Sequence, residues 1–434
     1  MRRLNKSQLS AYTSDIQISL YKKESMTRWI IFILVYIALG FYVIQALKTI
    51  AKQPWWSYLY IIVSFAVMVN FVYQFTVGDD TSRVLNVPKS YAFGFLLTIL
   101  TFNIITIIFL FSEDLYRITS GIYHKIYGVD KEFGLPARRR FLSLVALGIA
   151  SIPFGALLYG MYKGKYNFKV LKYTLEFDDL PDGFDGYQIT QISDIHSGSF
   201  DDRKMIEYGV DLINKQKSDV LLFTGDMVNN MTSEMLPWAD LFSTLEAKDG
   251  KFSVLGNHDY GDYIPWETEE IKSQNLEDLK VLQKEMGFDL LLNEHRYLKK
   301  GSDKIALVGV ENWGKGGFKK AGDLKKAASQ INENDFKILM SHDPSHWEME
   351  VIKDSYHYHL TLSGHTHGMQ FGIEIPGWIK WSPVKWRYPY WAGIYKEMGQ
   401  FINVNRGFGF LGYPGRVGIW PEITVITLRK KALT

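Results

Sequence analysis

The pattern of apolar and polar positions changes character near residue 163. Before it, four stretches are apolar all round: Trp29 to Leu47, Trp55 to Phe75, Tyr91 to Phe111 and Phe141 to Tyr162. Each has about the 20 residues a helix needs to cross roughly 30 Å of hydrocarbon. None shows a polar face, and charges such as Arg28 and Lys48 stand just outside the first. This favours membrane spans over buried helices of a soluble domain. Trp29, Trp55, Trp56, Tyr91 and Tyr162 at the span ends fit interfacial anchoring. Further along, short apolar runs at Tyr187 to Ile192, Val220 to Phe223, Phe252 to Leu255, Ile338 to Met340 and Leu360 to Leu362 read as buried strands. The expected organisation is a tail and four transmembrane helices over 1–162, a connector over 163–169, and one soluble domain over 170–434, long enough to bury a large core.

Charge refines this picture. The net charge of +3 is too small to indicate a nucleic-acid partner, and no basic stripe interleaved with aromatics appears. Arg117, Lys125, Lys131, Arg138, Arg139 and Arg140 precede the fourth span, and Lys48 and Lys52 follow the first. By the positive-inside bias both loops are cytoplasmic, so the soluble domain is expected outside the cytoplasmic membrane. The tail opposes this with Arg2, Arg3, Lys6, Lys22, Lys23 and Arg28. A translation start at Met26 instead of Met1 would remove all of these but Arg28, and peptides recovered upstream of Met26 would exclude it. The run Ala137 to Leu142 also resembles a twin-arginine export motif, with a positive-inside flank as the favoured reading. Either way the following domain is placed across the membrane.

Five short segments carry the candidate chemistry: Asp194-Ile195-His196, Gly225-Asp226, Gly256-Asn257-His258-Asp259, His342, and Gly364-His365-Thr366-His367. Nearly all follow one of the apolar runs, and ligands at the carboxyl ends of neighbouring strands converge on one crevice. Two divalent cations about 3.5 to 4 Å apart need a carboxylate that touches both, with imidazoles and carbonyl oxygens completing each shell. Asp226 suits the bridge. Asp194, His196 and His367 complete one site, and Asn257, His342 and His365 the other. With no cysteine in the chain the ligand atoms are oxygen and nitrogen, which suits Mn, Fe or Zn. Absence of cysteine is also compatible with an oxidising exterior.

In these segments the sequence resembles the calcineurin-like metallophosphoesterase superfamily, whose signature is D-x-H, G-D, G-N-H, a lone H and G-H-x-H in that order. The resemblance covers roughly Val170 to Leu428 and is closest to the bacterial membrane-anchored branch. It implies a four-layer α/β/β/α sandwich and two divalent metal ions, with the ligand assignments above matching position by position. It also implies hydrolysis at phosphorus by a hydroxide held between the metals, with His258 donating a proton to the leaving oxygen. Many members carry a second Asp three residues after the bridging one, orienting that histidine. Here the place is Asn229, a neutral acceptor that raises an imidazole pKa less than a carboxylate does. Asp259, beside His258, is the candidate to compensate.

Other features frame the substrate. Ile375 to Tyr395 holds Trp378, Trp381, Trp386, Tyr388, Tyr390 and Trp391. It reads equally as a wall for an acyl chain or sugar, a wedge in the bilayer surface, or a loop packed by its own aromatics. Arg406, in Asn405-Arg406-Gly407-Phe408-Gly409, is a candidate phosphate-binding residue through its planar fork of donors, against an ordinary Gly-rich turn. Lys315 to Lys326 lacks phosphate-loop spacing and reads as a solvated helix end. His124, His295, His346, His357 and His359 fall outside the motifs. The leading expectation is a membrane-anchored phosphoesterase that cleaves a phosphodiester or pyrophosphate bond, in a cell-envelope or lipid-linked substrate. One alternative is a phosphomonoesterase for soluble nucleotides or sugar phosphates. Another, of a different class, is a non-catalytic metal-dependent receptor for a phosphorylated ligand.

Overall fold

The structure, a computed structural model, describes residues 6–77, 82–128, 136–375 and 377–431, with the side chains of 6–26 and 136–137 set aside. Met26, the tail cations Arg2, Arg3, Lys6, Lys22 and Lys23, and Lys131 and Ala137 therefore lie outside the described side chains. Two compact units divide the chain: Met1–Val77 with Phe95–Ala156, and Gly78–Gly94 with Leu157–Thr434.

The first unit is all helical. Helices α1 (Lys6–Ile50), α2 (Trp55–Thr76), α3 (Val87–Tyr127) and α4 (Pro136–Tyr162) contain four segments long and apolar enough to cross a membrane. Where side chains must be polar they pair with one another, as hydrocarbon offers no alternative partner. Tyr36 Oη donates to the Ser64 carbonyl oxygen (2.9 Å), Ser64 Oγ to Tyr36 Oη (2.7 Å), and Tyr60 Oη to Asn103 Oδ1 (2.9 Å). Helix α3 runs well past Phe111, where the apolar stretch ends. Its continuation carries Glu113 and Asp114, which Arg139 neutralises from α4 at 2.9 and 2.7 Å.

Among the described residues the second unit holds fourteen strands. In chain order they are β1 (Lys169–Phe177), β2 (Gln188–Ile192), β3 (Val220–Phe223), β4 (Lys251–Ser253), β5 (Phe288–Leu290), β6 (Glu294–Lys300), β7 (Asp303–Gly309), β8 (Lys337–Met340), β9 (Leu360–Ser363), β10 (Ile373–Ile375), β11 (Ile379–Trp381), β12 (Gly393–Glu397), β13 (Gln400–Val404) and β14 (Glu422–Lys430). One six-stranded sheet has the order β1-β14-β2-β3-β4-β5, the other β12-β13-β9-β8-β7-β6, and β10-β11 form a separate hairpin.

The period of two decides the layers. Val220 and Leu222 of β3, with Ile338 and Met340 of β8, fill the core between the sheets. Leu221 and Phe223 face helices α5 (Arg203–Asn214) and α6 (Glu269–Glu285) through Ile206, Val210, Leu279 and Leu282. On the far face of the second sheet, Leu339 packs with Trp347, Ile402 and Val404. The result is the four-layer arrangement of two central sheets flanked by helices. Strands β2, β3 and β4 are mutually parallel, as are β8, β9 and β13, so their carboxyl ends gather at one edge. Strand β4 stops at Ser253, two residues short of the expected Leu255. Val254 and Leu255 stay fully buried but already belong to the loop that carries the next motif.

Candidate metal centre

Each motif lies just past a strand end: Asp194 after β2, Asp226 after β3, Asn257 after β4, His342 after β8, and His365 after β9. The loops bind one another through their backbones. Asp194 N–H donates to the Gly225 carbonyl (2.9 Å), His196 N–H to that of Asp226 (3.1 Å), and Gly364 N–H to that of His342 (2.9 Å). The backbone is also strained here: Asp194, His196, Asp226, His365 and His367 all hold positive φ, between 48° and 72°. Non-glycine residues in that region cost energy and cluster at functional sites. Small residues are required where the loops cross. A Cβ on Gly256 would lie 2.2 Å from Asp226 Oδ1, and one on Gly364 1.8 Å from Ser193 Oγ.

The predicted ligands come together in two groups able to hold a metal ion, Asp194 with His196 and His367, and Asp226 with His342 and His365. A third group joins His196, Asp226 and His258 across them. Asp226 Oδ2 lies 3.1 Å from His342 Nε2 and 3.6 Å from His196 Nε2, so one oxygen faces both halves. Its Oδ1 accepts the His258 N–H at 2.8 Å. Two observations fit a cation. Asn257 Oδ1 is buried with no hydrogen-bond partner, and the Nε2 atoms of His196 and His367 face each other at 3.0 Å, a spacing suited to two ligands of one ion.

Electrostatics follow from burial and proximity. Loss of water depresses the pKa of His196 and His258 and drops that of His365 to about 4, so these rings are neutral at pH 7, the form that ligates metal. Burial alone would lower His342 too, but the adjacent Asp226 carboxylate raises it to about 10. Burial opposes ionisation of Asp194 and Asp226, yet His367 beside the one and His342 beside the other hold both below the usual carboxylate range.

Neighbouring groups fix ring orientation. His342 Nδ1 lies 2.7 Å from the Thr224 carbonyl oxygen and His258 Nδ1 2.8 Å from that of Asn229, so each donates from Nδ1. His365 Nε2 sits 2.9 Å from Tyr388 Oη, which leaves Nδ1 toward the cluster. Arg416 is fully buried behind His367, with its Nη2 3.3 Å from Nδ1 and further bonds to the carbonyls of Arg406 and Gly409.

Three sequence expectations change. Asn229 accepts His258 through its backbone, and its side-chain Oδ1 instead lies 3.2 Å from His196 Nδ1. Asp259 does not reach the His258 ring. Its carboxylate accepts the backbone N–H groups of Gly256 (2.8 Å), Met227 (2.8 Å) and Asp226 (3.0 Å), tying the two loops together, and burial with the Asp226 charge raises its pKa to about 7. Arg406 is not available for phosphate. It is buried, bonded to Glu422 through Nη1 and to Glu374 at 2.6 and 3.1 Å.

Residues 187–369 match the family described as "Calcineurin-like phosphoesterase", and residues 27–165 match "Probable Calcineurin-like phosphoesterase, transmembrane domain". The fold and this cluster thus define a membrane-associated, metal-dependent phosphoesterase. The "Uncharacterized metallophosphoesterase YkuE" of Bacillus subtilis is 30% identical over 299 residues, covering 68% of this chain and 98% of its own. "Phosphodiesterase YaeI" of Escherichia coli is 29% identical over 296 residues, covering 67% and 99%. The "Transmembrane protein with metallophosphoesterase domain" of Danio rerio is 25% identical over 301 residues, covering 68% and 63%. The chain belongs to the calcineurin-like metallophosphoesterases.

Proposed function

We propose that the protein hydrolyses a phosphodiester or pyrophosphate bond in a lipid-linked or cell-envelope substrate, with two divalent metal ions and with its catalytic domain outside the cytoplasmic membrane. The observation that carries this reading is the pair of adjoining ligand groups with Asp226 Oδ2 facing a histidine of each, His342 at 3.1 Å and His196 at 3.6 Å. Asp194, His196 and His367 would hold one ion and Asn257, His342 and His365 the other. Bound there, the ions supply an activated water and neutralise charge on the phosphoryl oxygens. The protein's own residues do the rest. His258, fixed by its Nδ1 bond to Asn229, turns Nε2 to the reacting group, and the imidazolium formed when Nε2 takes up a second proton would give that proton to the leaving oxygen.

Two features favour a diester over a monoester. Aromatic rings crowd the histidines: Tyr263 stacks on His258 (4.3 Å between centroids), and Phe318 meets His365 edge-on (4.8 Å). Such a rim suits an ester with an organic group on each side. Arg406 and Arg416 are both committed to internal acceptors and add no free cation for a dianionic monoester. The outward placement rests on the positive-inside bias of Lys48, Lys52, Arg117, Lys125 and Arg138 to Arg140, which flank the apolar spans.

The test is hydrolysis of an artificial phosphodiester and an artificial phosphomonoester by the detergent-purified protein, with Mn²⁺ added or chelated. Metal-dependent preference for the diester is expected. Preference for the monoester would replace the reading with a phosphatase, and absence of turnover would favour a receptor.

A further inference from the structure

The aromatic segment that follows the last metal-ligand motif divides into two parts. Tyr388 and Trp391 turn inward and pack with Val384 and Ile419. The remainder does the opposite: Met369, Ile373, Ile375, Trp378, Trp381 and Trp386 are exposed, Trp378 and Trp386 at 76% each. Six large apolar side chains left in solvent within eighteen residues form a surface that soluble proteins rarely expose without a use. Lys385 and Arg387 are also exposed and flank Trp386, and because the Arg387 guanidinium lies over the Phe318 and Tyr388 rings (5.4 and 5.5 Å to the centroids), Lys385 is the outward cation. Tryptophan with adjoining lysine and arginine is the composition of a membrane interface, where indole rings sit at headgroup level and cations meet anionic lipid.

The second unit itself places this segment beside the membrane exit. Its residues from Leu157 include the last turns of α4, and these pack on the loop 413–418. Tyr413 Oη donates to the Leu157 carbonyl (2.6 Å), and Arg416 N–H to that of Gly160 (3.3 Å). A Cβ on Gly160 would lie 2.8 Å from the Arg416 carbonyl, so helix and loop are in van der Waals contact. The same loop then pairs with the start of the hairpin: Val417 N–H donates to Gln370 O (2.8 Å), Gly372 N–H to Val417 O (3.0 Å), and the Phe371 and Tyr413 rings lie 4.8 Å apart. One loop therefore separates the emerging end of a membrane span from the root of the β10-β11 hairpin.

We infer that residues 369–375 and 377–386 lie in the interfacial layer of the bilayer, with Trp378 and Trp386 at headgroup level and Lys385 against anionic lipid. This adds a second membrane contact, separate from the four spans and joined to the metal centre. Ser382 Oγ donates to Gly368 O (2.7 Å), next to His367, and Thr366 Oγ1 to Trp391 O (2.7 Å).

The chain's lack of cysteine makes the test direct. Full-length Trp378→Cys, Trp386→Cys and Ile375→Cys are each labelled with an environment-sensitive fluorophore and reconstituted into phosphatidylethanolamine–phosphatidylglycerol vesicles with or without spin-labelled acyl chains. Ile37→Cys, in α1, is the membrane reference. Met398→Cys, in the exposed β12-β13 turn away from the ligand loops, is the aqueous reference. The hairpin probes are expected to lose about half their emission or more to the lipid quencher, as an interfacial segment should, while Met398→Cys is unaffected. Replacing phosphatidylglycerol with phosphatidylcholine should weaken quenching at Trp386→Cys. Three labelled positions keep the test decisive if one variant fails to fold. The inference is overturned if the hairpin probes are quenched no more than Met398→Cys. Iodide accessibility equal to Met398→Cys, or protection by a second copy of the chain without lipid quenching, would overturn it as well. The readout needs no turnover, so failure of the proposed hydrolysis is a separate result.

Discussion

Arg406 gives the sharpest prediction because the sequence and the structure give it different work. A substrate-holding arginine would face the crevice. The structure instead locks it between Glu422, which is fully buried, and Glu374. Replacing it with Met removes the charge but keeps much of the stem, and strands the Glu422 carboxylate, which also accepts the Thr424 hydroxyl. Removing one partner of a buried ion pair costs about 3–5 kcal/mol, because the other charge is left uncompensated. At roughly 2 °C per kcal/mol, the low end for domains of 150–250 residues and suited to this larger one, the unfolding midpoint should fall by about 6–10 °C. The assay is thermal unfolding in detergent beside steady-state kinetics on an artificial diester at a temperature where both proteins stay folded. Glu422→Gln alone should destabilise similarly, and Arg406→Met with Glu422→Gln should recover much of the loss, since no buried charge is then orphaned. An unchanged midpoint together with a KM raised tenfold or more, on the order of 1.4 kcal/mol of lost binding, would refute the reasoning and return Arg406 to the substrate.

Other predictions follow from the same contacts. Lys165, buried beneath Tyr91, Tyr166 and Phe410, donates to Asp201 at 2.5 Å, so Asp201→Asn should cost about 3 kcal/mol in a thermal melt. Burial opposes the Asp201 charge, but Lys165 holds its pKa below the ordinary value. The stabilisation is therefore present above the unfolded carboxylate pKa and is lost as pH falls through the lower folded one, an acid-limb difference that Asp201→Asn should abolish. Tyr388→Phe removes the acceptor for His365 Nε2–H and should weaken metal affinity about 10–100-fold with little change in fold, measured by metal titration. Gly256→Ala, whose Cβ would strike Asp226 Oδ1, should lose metal and turnover together, and full metal content in that variant would contradict the geometry.

What was legible in the sequence was whatever local pattern decides. Apolar runs of three to six residues set the central strands because both faces are buried, and the ordered motifs at their ends marked the candidate ligands that the fold brings together. Features that depend on residues far apart in sequence were not legible. Glu374 and Glu422 reach Arg406 from opposite sides of it in the chain, and nothing in Asn405 to Gly409 announces them. The left-handed turn at His196 brings its Nδ1 to Asn229, so the side chain expected to serve His258 serves another ring. Arg416 belongs to none of the motifs, and only the fold puts it behind His367. Apolar length foretold that α3 holds a segment long and apolar enough to cross hydrocarbon. It did not foretell the continuation to Tyr127, which rests on charges neutralised from α4.

The central claim is that two ions share Asp226, and the most direct measurement is metal content per chain alongside turnover of an artificial diester, for the wild type and Asp226→Asn. The account predicts two ions per wild-type chain, turnover lost on chelation and restored by Mn²⁺, and loss of both metal and turnover in the variant. A single ion per active chain, or an Asp226→Asn variant that keeps two ions and full activity, would contradict it.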